Sequence, residues 1–248
     1  GERSRNKDEP LSGPYHYNAH MMILFWDLIE ESPVFSDAER LQITNAFARQ
    51  LFHAEDQAWR RQIRDNALAG REDAYAEPPA HVGSRHGQWS AIALYCLGRY
   101  FNTYYPDPLW RHCVEAAKWR FSSLHHHAWV GGENDNLYWY NTGVAPILSY
   151  MLLTGDRVPM ENGVFSRLLR GQDILASGEE SDWALRYASI GYLHKAAYFT
   201  GEGRYLEYLR RTGIDLETFR LGQSFWPEMG PEPPEDLVGE WNIQPLPE

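Results

Sequence analysis

One recurring turn pattern limits the architecture of this chain more than any other feature. Short turns stand at Tyr105-Pro106, at Thr154-Gly155-Asp156 and at Thr200-Gly201-Glu202, spaced by 49 and 46 residues. Each turn follows an apolar and aromatic run and precedes another amphipathic segment. Helical hairpins repeated at this period build either an α-solenoid or a closed α/α toroid. The pattern therefore predicts an all-α chain of repeated antiparallel helical hairpins.

Eight helices are expected between a charged, extended lead-in at 1–14 and a Pro-rich, non-helical tail at 223–248. Ser36 and Glu39 have the spacing of a capping box, which marks the start of the second helix. Residues 56–84 are expected to be less regular, because Pro78-Pro79 and Gly83 forbid a continuous helix there. The helices are predicted at 15–31, from 37 to beyond 51, and at 88–104, 108–124, 133–156, 162–176, 181–200 and 204–211. Together they make one domain over 15–222, and the tail is either a linker or the start of a second domain.

The composition favours a folded protein that binds carbohydrate. Hydrophobic residues make up 43% of the chain and aromatic residues 14%, which indicates a sizeable core. Ten Trp and fifteen Tyr exceed what packing requires, and amphipathic rings stack well on sugars. A formal net charge of −11 argues against nucleic acid as a partner, because nucleic-acid binders concentrate Lys and Arg. No apolar run of about 18 residues occurs, so we expect no membrane-spanning helix.

Neither the cysteines nor the histidines predict a metal site, and no cofactor is expected. Cys96 and Cys113 are expected to be packed free thiols, because helix axes about 8–10 Å apart are wide for a disulfide. The adjacent His125-His126-His127 cannot all face one ion, since neighbouring side chains diverge. A polar loop with one inward-facing histidine is the better interpretation of that run.

The stretch from Glu133 to Asp156 changes character half way along and is the main candidate for a site. Its first half is rich in amide and aromatic side chains, and its second half, 144–153, is almost wholly apolar. A helix with this pattern enters a core from a wet cleft, where planar amides and aromatic faces suit a sugar. Pro146 is expected to kink it. The candidate site residues in the first half are Asn134, Asn136, Tyr138, Trp139, Tyr140 and Asn141.

Two further regions supply candidates. Residues 78–87 place His81, Arg85 and His86 on or beside a loop ahead of the third helix, a position typical of functional loops. His20 lies on one stripe of the first helix, and Trp183 and Tyr187 lie near one face of the seventh. In a toroid of hairpins, alternate helices point the same way, so the starts of the third and fifth helices share one rim. We therefore expect a cleft that joins Asn134, Tyr138 and Trp139 to the histidine loop.

The Thr-Gly-Asp/Glu turns and the inner-face aromatic residues resemble the α/α-toroid enzymes that act on polysaccharides, including many polysaccharide lyases. The resemblance covers about residues 15–212, and it implies a complete or incomplete toroid, or a piece of a longer enzyme. It also implies β-elimination from a uronic-acid polysaccharide, an acidic polysaccharide or oligosaccharide partner, and a periplasmic or extracellular location. The family's Asn-His dipeptide is absent here, and Asn18-Ala19-His20 is the nearest match.

The resemblance also implies roles for the candidate residues. β-Elimination needs a neutralised carboxylate, a base for the C5 proton and an acid for the departing oxygen, and these lyases use Asn, Arg or His for the first and His or Tyr for the others. The implied roles are neutralisation by Asn134, Asn136 and Arg85, a base at His81 or His86, and an acid, or a base after losing its proton, at Tyr138 or Tyr140. The remaining candidates, His20, Trp139, Asn141, Trp183 and Tyr187, would bind substrate.

Two other functions compete with the lyase. A glycoside hydrolase on the same scaffold needs a pair of carboxylates, one with a raised pKa, and the candidates are Glu133, Asp135, Glu179 and Asp182. These acidic residues stand at helix starts, where they are ordinary partners of the helix dipole, so this function ranks second. A non-catalytic carbohydrate-binding helical module is the third.

Overall fold

A computed structural model describes residues 16–50, 57–127, 137–176 and 193–205 of the chain. The helices are α1 His16–Ile29, α2 Asp37–Gln50, α3 Gln57–Leu68, α4 Arg85–Tyr104, α5 Pro108–Phe121, α6 Leu137–Thr154, α7 Val158–Glu161, α8 Val164–Ala176 and α9 Leu193–Thr200. Two short 3₁₀ helices lie at Glu72–Tyr75 and Ser122–His125. No strand occurs within these ranges, so the predicted all-α class is confirmed for the part of the chain that the structure describes.

The chain divides into two compact units, Gly1–Ser123 and Leu124–Glu248. None of the described helices is both long and apolar enough to cross a membrane. Closure of the hairpins into a toroid and the single helical domain over 15–222 stay predictions. The lead-in at 1–14 and the tail at 223–248 lie outside the described residues, as does most of the predicted eighth helix.

A capped hairpin of α1 and α2 opens the first unit. Ser36 N donates to Glu39 Oε2 at 2.8 Å, and Glu39 N donates to Ser36 Oγ at 3.3 Å, which are the two reciprocal bonds of a capping box. Trp26 of α1 packs on Phe47 of α2 and donates its indole N–H to Thr44 Oγ1 at 3.2 Å. The predicted capping box and the predicted hairpin turn are both confirmed.

No continuous helix runs through the described residues 57–84, as predicted, but their first part forms α3, which is not among the eight predicted helices. Ile63 of α3 is buried against Leu94 of α4 and against Cys113 and Ala116 of α5. Charged and amide side chains flank Ile63 in the sequence, yet the apolar residues of α3 recur at helical spacing, so the sequence does contain a signal for this helix. Gly70 then takes φ +63 and turns the chain into the 3₁₀ helix and the loop that lead to α4.

Helices α4 and α5 form a tightly packed antiparallel hairpin. Asp107 caps the N-terminus of α5. An ideal Cβ on Gly98 of α4 would lie 2.8 Å from the Trp110 carbonyl oxygen and 2.9 Å from Cys113 Cβ, so the close approach requires glycine. Cys96 and Cys113 are both buried and free, as predicted, and burial raises the pKa of the Cys96 thiol to about 12.

Helices α1 and α4 lie side by side and run in the same direction. Three contacts advance along both helices together, joining His20 to Trp89, Asp27 to Arg99 and Glu30 to Tyr100. The N-termini of the two helices therefore lie at one end of the pair and their C-termini at the other. These two helices correspond to the first and third helices of the sequence prediction, for which repeated hairpins predict a parallel arrangement, although α3 adds a helix between them.

In the second unit, α6 packs against α8 and α9. Its segment 144–153 is buried throughout, so the predicted apolar half of the stretch is confirmed. Pro146 lies inside α6, and the kink that we expect there stays a prediction.

The two Thr-Gly-Asp/Glu turns adopt the same structure. In each, the last helical residue is a threonine whose hydroxyl donates to the carbonyl four residues earlier at 2.8 Å. The same hydroxyl accepts from the N–H two residues later, at 3.3 Å in the first turn and 3.1 Å in the second. Gly155 and Gly201 follow with φ of +70 and +71, in the left-handed region that favours glycine. The turns predicted at these glycines are confirmed as one recurring structure.

Candidate functional site

The start of α4 carries three of the predicted catalytic residues. The helix begins at Arg85, three residues earlier than predicted, so Arg85 and His86 lie in its first turn while His81 stays in the loop. Ser84 adopts an extended conformation and its side chain accepts from Gly87 N, so it is the N-cap that starts the helix early. The sequence prediction overlooked this cap.

The loop holds the His81 ring in a defined orientation. Gly83 N donates to His81 Nδ1 at 3.0 Å, and Gln88 of α4 donates its Nε2–H to the Gly83 carbonyl at 3.0 Å. Gly83 takes φ +85, a conformation that L side chains rarely adopt. The loop is therefore tied to the side of α4 at the glycine that orients His81.

An aromatic contact joins His20 to the same end of α4. The rings of His20 and Trp89 stack with centroids 5.0 Å apart and an interplanar angle of 23°. Trp89 lies four residues after Arg85 and three after His86, so all three share one side of the helix. His20 is only 4% exposed, and its ring contacts this region through Trp89. Its predicted contact with substrate stays a prediction.

Arg120, at the end of α5, also belongs to this region. Its Nη1 lies 3.0 Å from the position that a Cβ on Gly83 would take, so the guanidinium rests against the glycine. The sequence signal was available, because α5 is antiparallel to α4 and its last turn must lie beside the first turn of α4. Trp89 was missed as well, although its spacing from Arg85 on the predicted helix indicates a shared face.

We call this region the imidazole end of the first unit. It consists of His20, His81, Arg85, His86, Trp89 and Arg120, with Gly83 and Gln88 beneath the loop. The helix N-terminus contributes a partial positive charge, and the two guanidinium groups contribute two full charges. These groups, with an indole beside them, are suited to an anionic ligand that has an apolar face.

Several predicted site residues cannot be placed relative to this end. Tyr138, Trp139, Tyr140 and Asn141 occupy the first turns of α6, and only their backbone is described. Outside the described residues lie the remaining predicted lyase residues Asn134, Asn136, Trp183 and Tyr187, and the hydrolase candidates Glu133, Asp135, Glu179 and Asp182. The cleft that we expect between α6 and the histidine loop therefore stays a prediction.

The opposite end of the α1–α4 pair has the reverse character, and we call it the carboxylate end. A groove of about 730 Å³ is lined there by Asp27, Leu28, Glu30, Glu31, Arg40, Tyr104 and Tyr105. Tyr104 and Tyr105 are about half exposed, so their rings are accessible. The sequence did not predict this groove, because α1 and α4 contribute residues more than seventy positions apart.

The carboxylates change the chemistry of the neighbouring tyrosines. A hydrogen bond to Asp27 and the charge of that carboxylate raise the pKa of Tyr104. Burial, followed by a hydrogen bond to Glu30, raises the pKa of Tyr100. Arg99 Nη2 lies 3.4 Å from Asp27 Oδ2 and offsets part of the negative charge. The phenols at this end are therefore held in their neutral form.

Lys195 and the His125–Asp156 pair are ionisable groups of the second unit. Burial lowers the pKa of Lys195 in α9 to about 8. His125 Nε2 and Asp156 Oδ2 are 2.8 Å apart, and the His125 side chain is still 34% exposed, so the inward-facing histidine that we expect in this run stays a prediction. No group of three or more His, Cys, Asp or Glu side chains in the described ranges could hold a metal ion.

Comparison of the chain with protein-family models, with curated proteins and with solved structures finds no match.

Proposed function

We propose that this protein is a polysaccharide lyase that cleaves a uronic-acid-containing polysaccharide by β-elimination. The proposal is supported by the imidazole end, where Arg85, Arg120 and the N-terminus of α4 present positive charge beside two histidines and a tryptophan. A uronic acid needs its carboxylate neutralised before its C5 proton becomes acidic, and guanidinium groups at a helix N-terminus are good partners for a carboxylate.

The reaction has three parts that these residue types perform. A base removes the C5 proton, and the electron pair left behind forms the C4–C5 double bond as the C4–O bond breaks. The departing oxygen then takes a proton from an acid. His81 or His86 can serve as the base, and Tyr138 or Tyr140 as the acid, with Asn134 and Asn136 as added donors to the carboxylate.

The product distinguishes this proposal from its competitors. We would incubate the protein with a panel of uronic-acid polymers and follow both the absorbance of an unsaturated uronyl product and the release of reducing ends. A lyase gives both signals together. A hydrolase releases reducing ends with no unsaturated product, and a binding module gives neither signal but retains affinity for the polymer.

The substitution Tyr138→Phe tests the proton-transfer role within the proposal. We expect turnover to fall by about 10²–10⁴-fold with the Michaelis constant little changed, because the ring stays and only the transferable proton is lost. Asn134→Ala should cost about 10²–10³-fold by removing a donor to the carboxylate. If Tyr138→Phe keeps full activity and the product is still unsaturated, the role passes to Tyr140 or to the histidine loop. If Glu133→Gln or Asp135→Asn is the lethal change, the hydrolase is correct.

A further inference from the structure

Gln88 has a buried side-chain amide whose nitrogen and oxygen differ in their hydrogen bonding. Its side chain is fully buried, and its Nε2–H donates to the Gly83 carbonyl at 3.0 Å. Its Oε1 makes no hydrogen bond to any residue in the described part of the chain. Leaving one end of a buried amide unpaired costs stability, and a methionine of similar size would avoid that cost. The bond to Gly83 is the one interaction that the amide provides here and an apolar side chain would not.

The glycine that Gln88 holds determines the orientation of His81. Gly83 N donates to His81 Nδ1 at 3.0 Å, so the lone pair of Nδ1 is occupied. In the neutral ring the single proton must then be on Nε2. A histidine in this tautomer presents an N–H donor at Nε2 and has no basic nitrogen left to accept a proton.

The position between the two bonds accepts only glycine. Gly83 has φ +85, and a Cβ there would approach Arg120 Nη1 to 3.0 Å. The peptide units around Gly83 thus bond to Gln88 through the carbonyl and to His81 through the N–H, and Arg120 covers the face where a side chain would lie. This arrangement limits rotation of the glycine away from the histidine.

We propose that Gln88 is a positioning residue that fixes His81 as the Nε2–H tautomer, so that His81 is a hydrogen-bond donor to the substrate carboxylate and not the base. The proposal rests on the proposed lyase function for the identity of the substrate. In that reaction His81 donates Nε2–H to the carboxylate as negative charge grows on it during loss of the C5 proton, and His81 keeps its proton throughout. A neutral imidazole in this role stabilises charge without transferring a proton.

The sequence leaves His81 and His86 as alternative bases, and the proposed tautomer excludes His81 from that role. With His81 acting as a donor, the C5 proton must be removed by another group. His86, in the first turn of α4, Tyr138 and Tyr140 remain as the candidates. Loss of His81 should then weaken transition-state stabilisation without removing the acidic limb of the pH–rate profile, which reports the base.

The tautomer is measured directly by nitrogen-15 NMR of the imidazole rings in the full chain, at a pH where the titration shows His81 to be neutral. His81 is assigned by comparison with His81→Asn. We expect Nδ1 to show the shift of an unprotonated nitrogen and Nε2 that of a protonated one. A spectrum with the proton on Nδ1 overturns the proposal, whether or not the protein has lyase activity.

The positioning role is tested with Gln88→Met, which keeps the volume and removes the bond to Gly83. We expect the His81 nitrogen shifts to move towards a mixture of tautomers, and turnover to fall by about 10-fold with the Michaelis constant changed less than about twofold. Ser149→Ala removes a different buried polar group, from α6, and should leave the His81 shifts and turnover unchanged.

The outcomes separate the two proposals. Unchanged His81 shifts in a folded Gln88→Met protein overturn the positioning role. If Gln88→Met does not fold, the tautomer found in the unsubstituted protein still decides whether His81 is held as a donor. The expected tautomer together with no unsaturated product from any uronic-acid polymer would leave the hold on His81 established and contradict the lyase.

Discussion

The two ends of the parallel α1–α4 pair differ in charge and in their relation to the helix dipoles. At the imidazole end, the positive N-terminus of α4 is joined by Arg85, His86 and Arg120. At the carboxylate end, Glu30 and Glu31 stand where α1 ends, beside the negative end of its dipole. The two ends therefore differ in the charged groups beside a helix terminus, with arginines beside the N-terminus of α4 and mostly carboxylates, accompanied by Arg40 and Arg99, at the other end.

This difference indicates which end suits which ligand. We infer that the cationic side chains beside the indole favour a carboxylate ligand, whereas the carboxylates that line the groove at the other end disfavour one. The tyrosine rings of that groove are as accessible as those of many sugar sites, so aromatic exposure alone would not separate the two ends. The charge of the side chains does distinguish the two ends.

The largest expected effect compares one residue from each end. His86→Gln should lower turnover on a uronic-acid polymer by about 10²–10⁴-fold if His86 moves a proton in the reaction. Tyr104→Phe, at the carboxylate end, should stay within about twofold of the unsubstituted protein. Initial rates of unsaturated-product formation measure both. Equal losses in the two variants would remove the functional distinction between the ends.

The next effect concerns the α4–α5 hairpin, which supports both ends. Gly98→Ala should destabilise the protein by about 2–3 kcal/mol, because a Cβ there would lie 2.8 Å from the Trp110 carbonyl oxygen and backbone must move. Gly143→Ala in α6 is the matched control, since nothing lies within 4 Å of its Cβ position. It should be neutral, or stabilising by up to about 1 kcal/mol. Urea unfolding followed by circular dichroism gives both values, and similar values for the two variants would contradict the close packing at Gly98.

A smaller effect concerns the hydrogen bond from Tyr100 to Glu30 at the carboxylate end. Its loss in Tyr100→Phe should cost about 1 kcal/mol near neutral pH. The folded protein holds the pKa of Tyr100 above its ordinary value of 10.0, so its contribution is complete below about pH 10 and is lost as the pH rises further. The free energy of unfolding should therefore fall above about pH 10, and fall less steeply in Tyr100→Phe. Parallel pH profiles for the two proteins would show that Tyr100 is not perturbed.

The smallest effect compares a carboxylate at each kind of helix end. Glu31→Gln should stabilise the protein by about 0.3 kcal/mol at low salt, because it removes charge from the acidic cluster beside the C-terminus of α1. Glu39→Gln should destabilise it, because the Glu39 carboxylate accepts bonds from Ser36 at the start of α2, which lower its pKa. Thermal unfolding at low and high salt measures both signs. A stabilising Glu39→Gln would show that the capping box does not contribute.

Local signals in the sequence predicted local structure well. Ser36 and Glu39 are three residues apart in the chain and predict a capping box. Both hydrogen bonds of that capping box are present. The threonine and glycine of each recurring turn predict a helix end, and both turns have the same hydrogen bonds. Such features depend on residues within one turn of each other, so the sequence contains all the information that they need.

Features that depend on packing were missed. The helical spacing of the apolar residues of α3 indicates the helix itself, but it does not indicate that Ile63 packs against α5. The groove at the carboxylate end requires the parallel alignment of α1 and α4, which sets Glu30 beside Tyr100, seventy residues later. Arg120 reaches the imidazole end because glycine at 83 leaves room for it. Residue patterns along the sequence do not predict which of these distant residues come into contact.

We propose that the imidazole end binds the carboxylate of an acidic saccharide, and an NMR titration of the full chain measures this binding. Backbone amides of the nitrogen-15-labelled protein would be followed as a uronic-acid oligosaccharide is added, with a neutral oligosaccharide of the same length as the control. We predict saturable shifts in 81–89 and at Arg120 with the acidic ligand, none with the neutral ligand, and no change in 27–31 or at Tyr104. Shifts centred on the carboxylate end, or equal responses to the two ligands, would show that the imidazole end does not bind the saccharide carboxylate.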